Sequence, residues 1–201
     1  MNPAYLFILL LFVVNFSGTP EPEVKAAPLP DHMLAPLIKH SVKEEDEMIP
    51  WAPDRRLTWE DFLCSPQRNT DAVASTSTSL GLAYQVKNNH LSYQITCNFS
   101  KTKSWGLMKT NYILAHEQGH FDITEIFARK LHQSLLDYKI NRNTFKSDID
   151  SIYQSIVKQK EAFQNTYDDE TDHSRRKAIQ LEWLDKIQDL LNESSPYDNY
   201  P

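Results

Sequence analysis

Residues Thr76, Thr78, Leu80, Leu82, Tyr84 and Val86 alternate with small or polar neighbours, Asn88-Asn89-His90 interrupts, and the alternation resumes from Leu91 to Phe99. A period of two broken by turn-forming residues predicts a β-hairpin. After Trp105 the spacing lengthens. Tyr112, His116, His120, Ile123, Phe127, Leu131 and Leu135 recur at steps of three or four, which predicts one long helix with both histidines in its inward apolar stripe. A second helix is expected from about Phe145 to Gln164, burying Ile149, Ile152, Ile156 and Phe163, and a third from about Asp172 to Leu191. Upstream, Leu57-Thr58-Trp59-Glu60-Asp61-Phe62 carries two aromatics one helical turn apart, suited to packing on the core. Strands first and helices afterwards read as an α+β fold, a small antiparallel sheet followed by three helices.

The ends of the chain break this pattern. Met1 to Ala4 lead into the apolar run Tyr5 to Val14, followed by Ser17-Gly18-Thr19-Pro20. The run is about half the roughly twenty residues a membrane-spanning helix needs, so residues 1–18 are expected to be a cleaved signal peptide rather than a permanent span. Residues 19–50, rich in Pro, Glu, Lys and Ala, are expected to be a flexible linker, residues 51–192 the folded domain, and residues 193–201 a frayed tail. The expected location is secreted or periplasmic. The chain has 201 residues, 40% of them hydrophobic, enough for one main core. Its net charge of -6 and lack of a basic run argue against nucleic acid as a partner. Cys64 and Cys97 suit one disulfide in an oxidising compartment, although Cys97, on the apolar strand face, equally suits a buried free thiol.

The chemistry concentrates on the long helix, at His116-Glu117-Gln118-Gly119-His120. Residues four apart on a helix lie about 40° apart in projection, so both imidazoles can address one point, with Glu117 about 100° round from His116. This arrangement suits a zinc ion with an activated water and Glu117 as general base. Gly119 is the one glycine inside the helical pattern, where another segment can approach closely. A third ligand has to come from elsewhere, because the helix continues without a glycine turn and both Asp122 and Glu125 point well away from the histidines. The richest downstream cluster is Tyr167-Asp168-Asp169-Glu170-Thr171-Asp172-His173. Within it His173 is the preferred ligand, with Glu170, Asp169 and Asp172 as alternatives. Tyr167 is either an oxyanion donor or a packed surface tyrosine. His32, His40, His90 and His132 are assigned no role.

Leu57-Thr58-Trp59-Glu60-Asp61-Phe62, Ser104-Trp105, Ala115 to Ile123, and Tyr167-Asp168-x-Glu170-Thr171-x-His173 with Gln180 and Trp183 together resemble a bacterial family, domain-of-unknown-function family 922, described as predicted secreted zinc-dependent proteases. The resemblance covers roughly Trp51 to Leu191. It implies a zincin-like fold and an envelope location, and it raises the candidacy of Glu170 and His173. Relatives often carry Gly after the last histidine, where this chain has Ser174. The expected function is that of a zinc metallopeptidase acting on peptide or protein substrates. Two alternatives stand beside it: a hydrolase of peptidoglycan amides using the same site, and a non-catalytic envelope protein with structural zinc or none.

Overall fold

In the computed structural model the described residues are 47–67 and 70–201. The expected signal peptide and nearly all of the expected linker therefore lie outside them. The hairpin forms from β3 (Thr78–Lys87) and β4 (His90–Ser100), with Leu80 opposite Cys97, Leu82 opposite Ile95, Tyr84 opposite Tyr93 and Val86 opposite Leu91. This register puts the apolar positions of both strands on one face. The connecting residues Asn88 and Asn89 have φ of 53° and 63°. Positive φ at both central positions marks a type I′ turn, whose twist matches that of the strands and which asparagine tolerates.

β1 (Met48–Pro50) pairs antiparallel with the other edge of β4, so the sheet runs β1-β4-β3. β1 lies within the last residues of the span expected to be linker. A short pair, β2 (Ala74–Ser75) and β5 (Trp105–Gly106), closes the loops beside the hairpin.

Three helices follow: α1 (Asn111–Asp137), α2 (Phe145–Thr171) and α3 (Lys177–Glu193). Thr110 caps α1 by accepting from the Ile113 amide at 3.2 Å. α1 packs on the sheet and also against α2 and α3, so Phe121, Ile123, Thr124 and Ala128 are all fully buried. Phe62, Phe99 and Phe121 form an aromatic chain with centroid separations of 5.1 and 5.9 Å, tying the Trp59–Asp61 turn and β4 to α1. Among the described residues no helix is long and apolar enough to cross a membrane.

Several expectations change. α2 runs to Thr171 rather than ending at Gln164, and α3 begins at Lys177 rather than Asp172. The tail does not fray: the Ile95 amide donates to the Pro201 carbonyl at 2.8 Å, and the Tyr200 hydroxyl donates to Glu125 at 2.7 Å. The disulfide is absent. Cys97 is a free thiol inside the core, and Cys64 is a free thiol on the loop after Phe62, donating to the Ser65 carbonyl. Burial pushes the Cys97 thiol well above its usual range, and the nearby Glu125 charge adds to this.

Asp122 and Glu125 lie on the side of α1 away from the histidines, as the helical angles require. They are buried beneath the segment of residues 51–57 and the C-terminal residues, not solvated. Asp122 accepts from Trp51 at 2.9 Å, Gln118 at 2.8 Å and Arg56 at 3.0 Å. Glu125 pairs with Arg129 at 2.8 Å. Gln118 accepts the Leu57 amide at 2.7 Å. This network holds the segment from Trp51 to Leu57 against α1 and sets which side of that helix faces α2 and α3.

Candidate metal centre

His116 and His120 sit one turn apart on the face of α1 that meets α2. Their Nε2 atoms are 3.3 Å apart. The third group at this point is Asp168, from the last full turn of α2, whose Oδ1 lies 3.1 Å from each Nε2. Among the described residues these three form the group of His, Cys, Asp and Glu side chains that can hold a metal ion. Donor atoms around a tetrahedral zinc at about 2.0–2.1 Å are separated by roughly 3.3–3.4 Å, so the observed triangle is close to the size such an ion requires.

The protonation pattern of the triangle follows from its neighbours. His120 Nδ1 faces the Gln164 side-chain oxygen, while the Gln164 amide nitrogen donates at 2.8 Å to the main-chain carbonyl of His120 itself. A carbonyl only accepts, so this second bond orients the amide, and the ring nitrogen facing its oxygen must carry the proton. His116 Nδ1 faces the Gln180 oxygen at 2.8 Å. The Tyr167 hydroxyl donates to the His116 carbonyl at 3.4 Å and so accepts from the Gln180 amide at 2.9 Å, which orients that amide and puts the proton on this ring nitrogen too. With both Nδ1 atoms protonated, the neutral rings turn two lone pairs towards a carboxylate. Only a proton or a metal cation reconciles them.

Electrostatics agree with this. Burial disfavours charge on His120, but the bond to Asp168 and the charges of Asp168 and Glu117 outweigh it and raise its pKa to about 9. Burial acts against the Asp168 charge too, yet its bonds to His116 and His120 hold the carboxyl well below the usual carboxylate range.

Glu117, beside His116 on the helix, is buried, and its Oε2 has no hydrogen-bond partner. An orphaned carboxylate oxygen in a closed site costs about 1–3 kcal/mol or more unless something outside the chain meets it. The Glu117 charge acts on the His120 ring, and the chemistry of its open oxygen suits a proton from a water or substrate.

The other expected site residues fall as follows. His173 lies past the end of α2, 56% exposed, its Nδ1 3.5 Å from Asp168 Oδ1. It touches the outer side of Asp168 rather than closing the triangle with the two histidines, a place that Asp168 takes. Glu170 faces away, accepting from the Trp183 indole at 2.8 Å, and so links α2 to α3. Asp172 pairs with Arg175 at the surface.

Tyr167 is not a surface residue, and its hydroxyl accepts from the Gln180 amide. It is fully buried, stacked on His116 at 4.5 Å, with its hydroxyl against Gly119 and 3.4 Å from the His116 carbonyl. Burial holds its phenol far above the ordinary range, so it stays neutral. A Cβ on Gly119 would stand 2.6 Å from that hydroxyl. The close approach expected at Gly119 is therefore that of a side chain.

Just beyond, Asp172, His173 and Ser174 all have positive φ, of 49°, 50° and 72°. The Tyr112 hydroxyl holds this link by donating to the Ser174 carbonyl, and the His173 amide donates to the Asp168 carbonyl at 2.9 Å. The site thus opens along one side: the His116 side chain is 4% exposed, His120 14%, Asp168 28% and His173 56%.

Asp168, Gln164 and the role of Gln180 escape the sequence pattern. Ending α2 at Gln164 hides that Gln164 and Asp168 are one turn apart on a continuing helix face. No local signal marks that polar run as helix, because Tyr167 and Thr171 are held there by burial against other elements.

Comparison with known proteins gives one family. The family described as "Bacterial protein of unknown function (DUF922)" matches residues 55–174, a span holding His116, Glu117, His120, Gln164, Asp168 and His173. No curated protein and no solved structure matches the chain.

Proposed function

The chain belongs to the bacterial family of unknown function DUF922, and from the geometry of its site we propose that it is a zinc-dependent hydrolase that cleaves peptide bonds in the cell envelope. The observation that carries this reading is the triangle of His116 Nε2, His120 Nε2 and Asp168 Oδ1, beside the orphaned oxygen of Glu117. Two imidazoles and one carboxylate are a catalytic rather than a structural zinc set, because three protein ligands leave a position open. Zinc, when bound, supplies a Lewis acid for a carbonyl oxygen and acidifies a water at the site to a pKa of about 7.

The protein's own groups do the rest. Glu117, with a free oxygen, accepts the water's proton and returns it to the leaving amine nitrogen. Gln164 and Gln180 hold the imidazoles, and the wall formed by Tyr167 excludes water from behind them. His173, on the open side, is placed to meet substrate. A zincin-like ancestry accords with the order of the hairpin and the long helix, and export accords with the apolar N-terminal run.

Metal content of the purified chain, read by mass spectrometry, tests the site. About one zinc per chain is expected, lost in His116→Ala and Asp168→Ala and kept in His173→Ala; absence of metal from the wild type, or its retention in Asp168→Ala, would sink the proposed ligand set. Glu117→Gln is expected to keep zinc and to lower hydrolysis at least about 100-fold. Denatured casein and purified peptidoglycan, assayed side by side, separate a peptidase from a cell-wall amide hydrolase.

A further inference from the structure

Gln164 makes two bonds to one residue. Its oxygen accepts from the His120 ring and its nitrogen donates to the His120 main-chain carbonyl at 2.8 Å, with a second donation to Thr124 Oγ1 at 3.3 Å. The amide therefore clamps ring and backbone of the same histidine. Turning it over would set an amide oxygen against a carbonyl oxygen and an NH2 against a protonated ring nitrogen, losing both bonds. Gln180 grips His116 in the same sense from α3, with Tyr167 on its other side.

The alternative arrangement is easy to picture. Without the clamps each neutral ring would move its proton to Nε2 and donate to Asp168 Oδ1, only 3.1 Å away. That state is well hydrogen-bonded, and it closes the lone pairs a metal needs.

We infer that Gln164 and Gln180 are positioning residues that hold His120 and His116 in the Nδ1–H form, keeping both Nε2 lone pairs open to a metal between them and Asp168. This rests on the metal reading of the same site. The partners are neutral amides where a carboxylate would serve equally as an acceptor. Neutrality leaves Asp168 as the one charge among the three ligands, so a divalent ion keeps a net positive charge with which to polarise a substrate. Outer partners of this kind are worth about 10- to 100-fold in metal affinity.

The test uses the full chain with Gln164→Met, Gln180→Met and Gln164→Glu. Methionine keeps the length and approximate volume of glutamine and removes both hydrogen-bonding atoms. Zinc affinity is measured by competition with a chromophoric chelator. The tautomers of His116 and His120 are read in the metal-free proteins from imidazole nitrogen NMR shifts in alkaline buffer. Each methionine variant is expected to bind zinc about 10- to 100-fold more weakly, and its own histidine is expected to shift from Nδ1–H towards Nε2–H. Gln164→Glu keeps an acceptor for the ring but sets a carboxylate oxygen against the His120 carbonyl, so it is expected to keep His120 in the Nδ1–H form and to recover affinity only in part relative to Gln164→Met. Unchanged affinity in both methionine variants overturns the inference. So does a loss of affinity with unchanged tautomers, which would make the glutamines mere packing. If the wild type itself binds no zinc, the proposed hydrolase falls, and the tautomers alone still decide whether the clamps exist.

Discussion

At the scale of single residues, the site depends on one missing methyl group. Gly119 lets the Tyr167 ring stack on His116 with its hydroxyl against the helix, where a Cβ would stand 2.6 Å from the oxygen. Alanine is intrinsically the better helix former by about 1 kcal/mol, but the clash outweighs that gain, since overpacking a closed core costs about 1–3 kcal/mol. Gly119→Ala is accordingly expected to lower thermal stability and to weaken zinc binding together, measured by calorimetry and chelator competition. Ser174 is the opposite case. It holds a φ of 72°, where a side chain is strained by about 1–2 kcal/mol and glycine is not. Ser174→Gly should raise stability by up to about 1 kcal/mol after glycine's own entropy cost, and a lower melting temperature would contradict this. The thiols give a third check. Cys64, on a loop, is expected to react readily with a thiol reagent in the native protein, and Cys97, buried and with its ionisation suppressed, only in denaturant. A single reactive group before unfolding and two after it is the expected count.

At the scale of elements, the hairpin could be read because its signals are local, although the break expected over Asn88-Asn89-His90 narrows to two residues, with His90 already paired to Lys87. Alternation of Leu80, Leu82, Tyr84 and Val86 sets the face, and the Asn88-Asn89 pair sets the turn and so the register. Replacing Asn89 by Val puts a β-branched residue at a φ of 63° and is expected to cost at least about 1 kcal/mol, whereas Gly there should be near neutral. The end of α2 could not be read so easily. Thr166 to Asp172 is polar enough to pass for a loop, and an apolar stripe is the only sign of a helix that a sequence offers there. In the fold that turn is helical because Tyr167 and Thr171 are buried against α1 and α3, a reason located on other elements. The consequence is that Asp168, one turn from Gln164, faces the histidines instead of His173.

At the scale of the whole molecule, α1 joins two unlike environments. One side meets a buried charged network with the segment of residues 51–57 and the C-terminal residues, through Trp51, Arg56 and Tyr200, and the other carries the His116–His120–Asp168 triangle. Acidity should act on the second side in opposite ways with and without metal. In the metal-free chain the folded state raises His120 from 6.5 to about 9 and holds Asp168 below 3.8. The His120 contribution is complete below pH 6.5 and is lost as pH rises through about 9. The Asp168 contribution is complete above its unfolded value and is lost as pH falls below 3.8. With a chelator present, melting temperature is therefore expected to fall between pH 6.5 and about 9. With zinc present this fall should be offset, because metal and protons compete for the same lone pairs and binding strengthens as protons leave. Parallel pH profiles with and without zinc would contradict the shared site.

The sequence alone determined the hairpin and the three helices that follow it, the helical face shared by His116 and His120, and the place of Glu117 beside them, because each follows from spacing within one segment. Only the tertiary structure decided that Asp168 completes the triangle, that two glutamines from α2 and α3 face the outer ring nitrogens, that Tyr167 fills the space above Gly119, and that the tail docks on β4. Those contacts join segments about 40 to 100 residues apart in the chain, and their partners are chosen by how three helices pack rather than by any local period. A short-range pattern can say which side of a helix is inward; which residues wait there is a property of the whole fold.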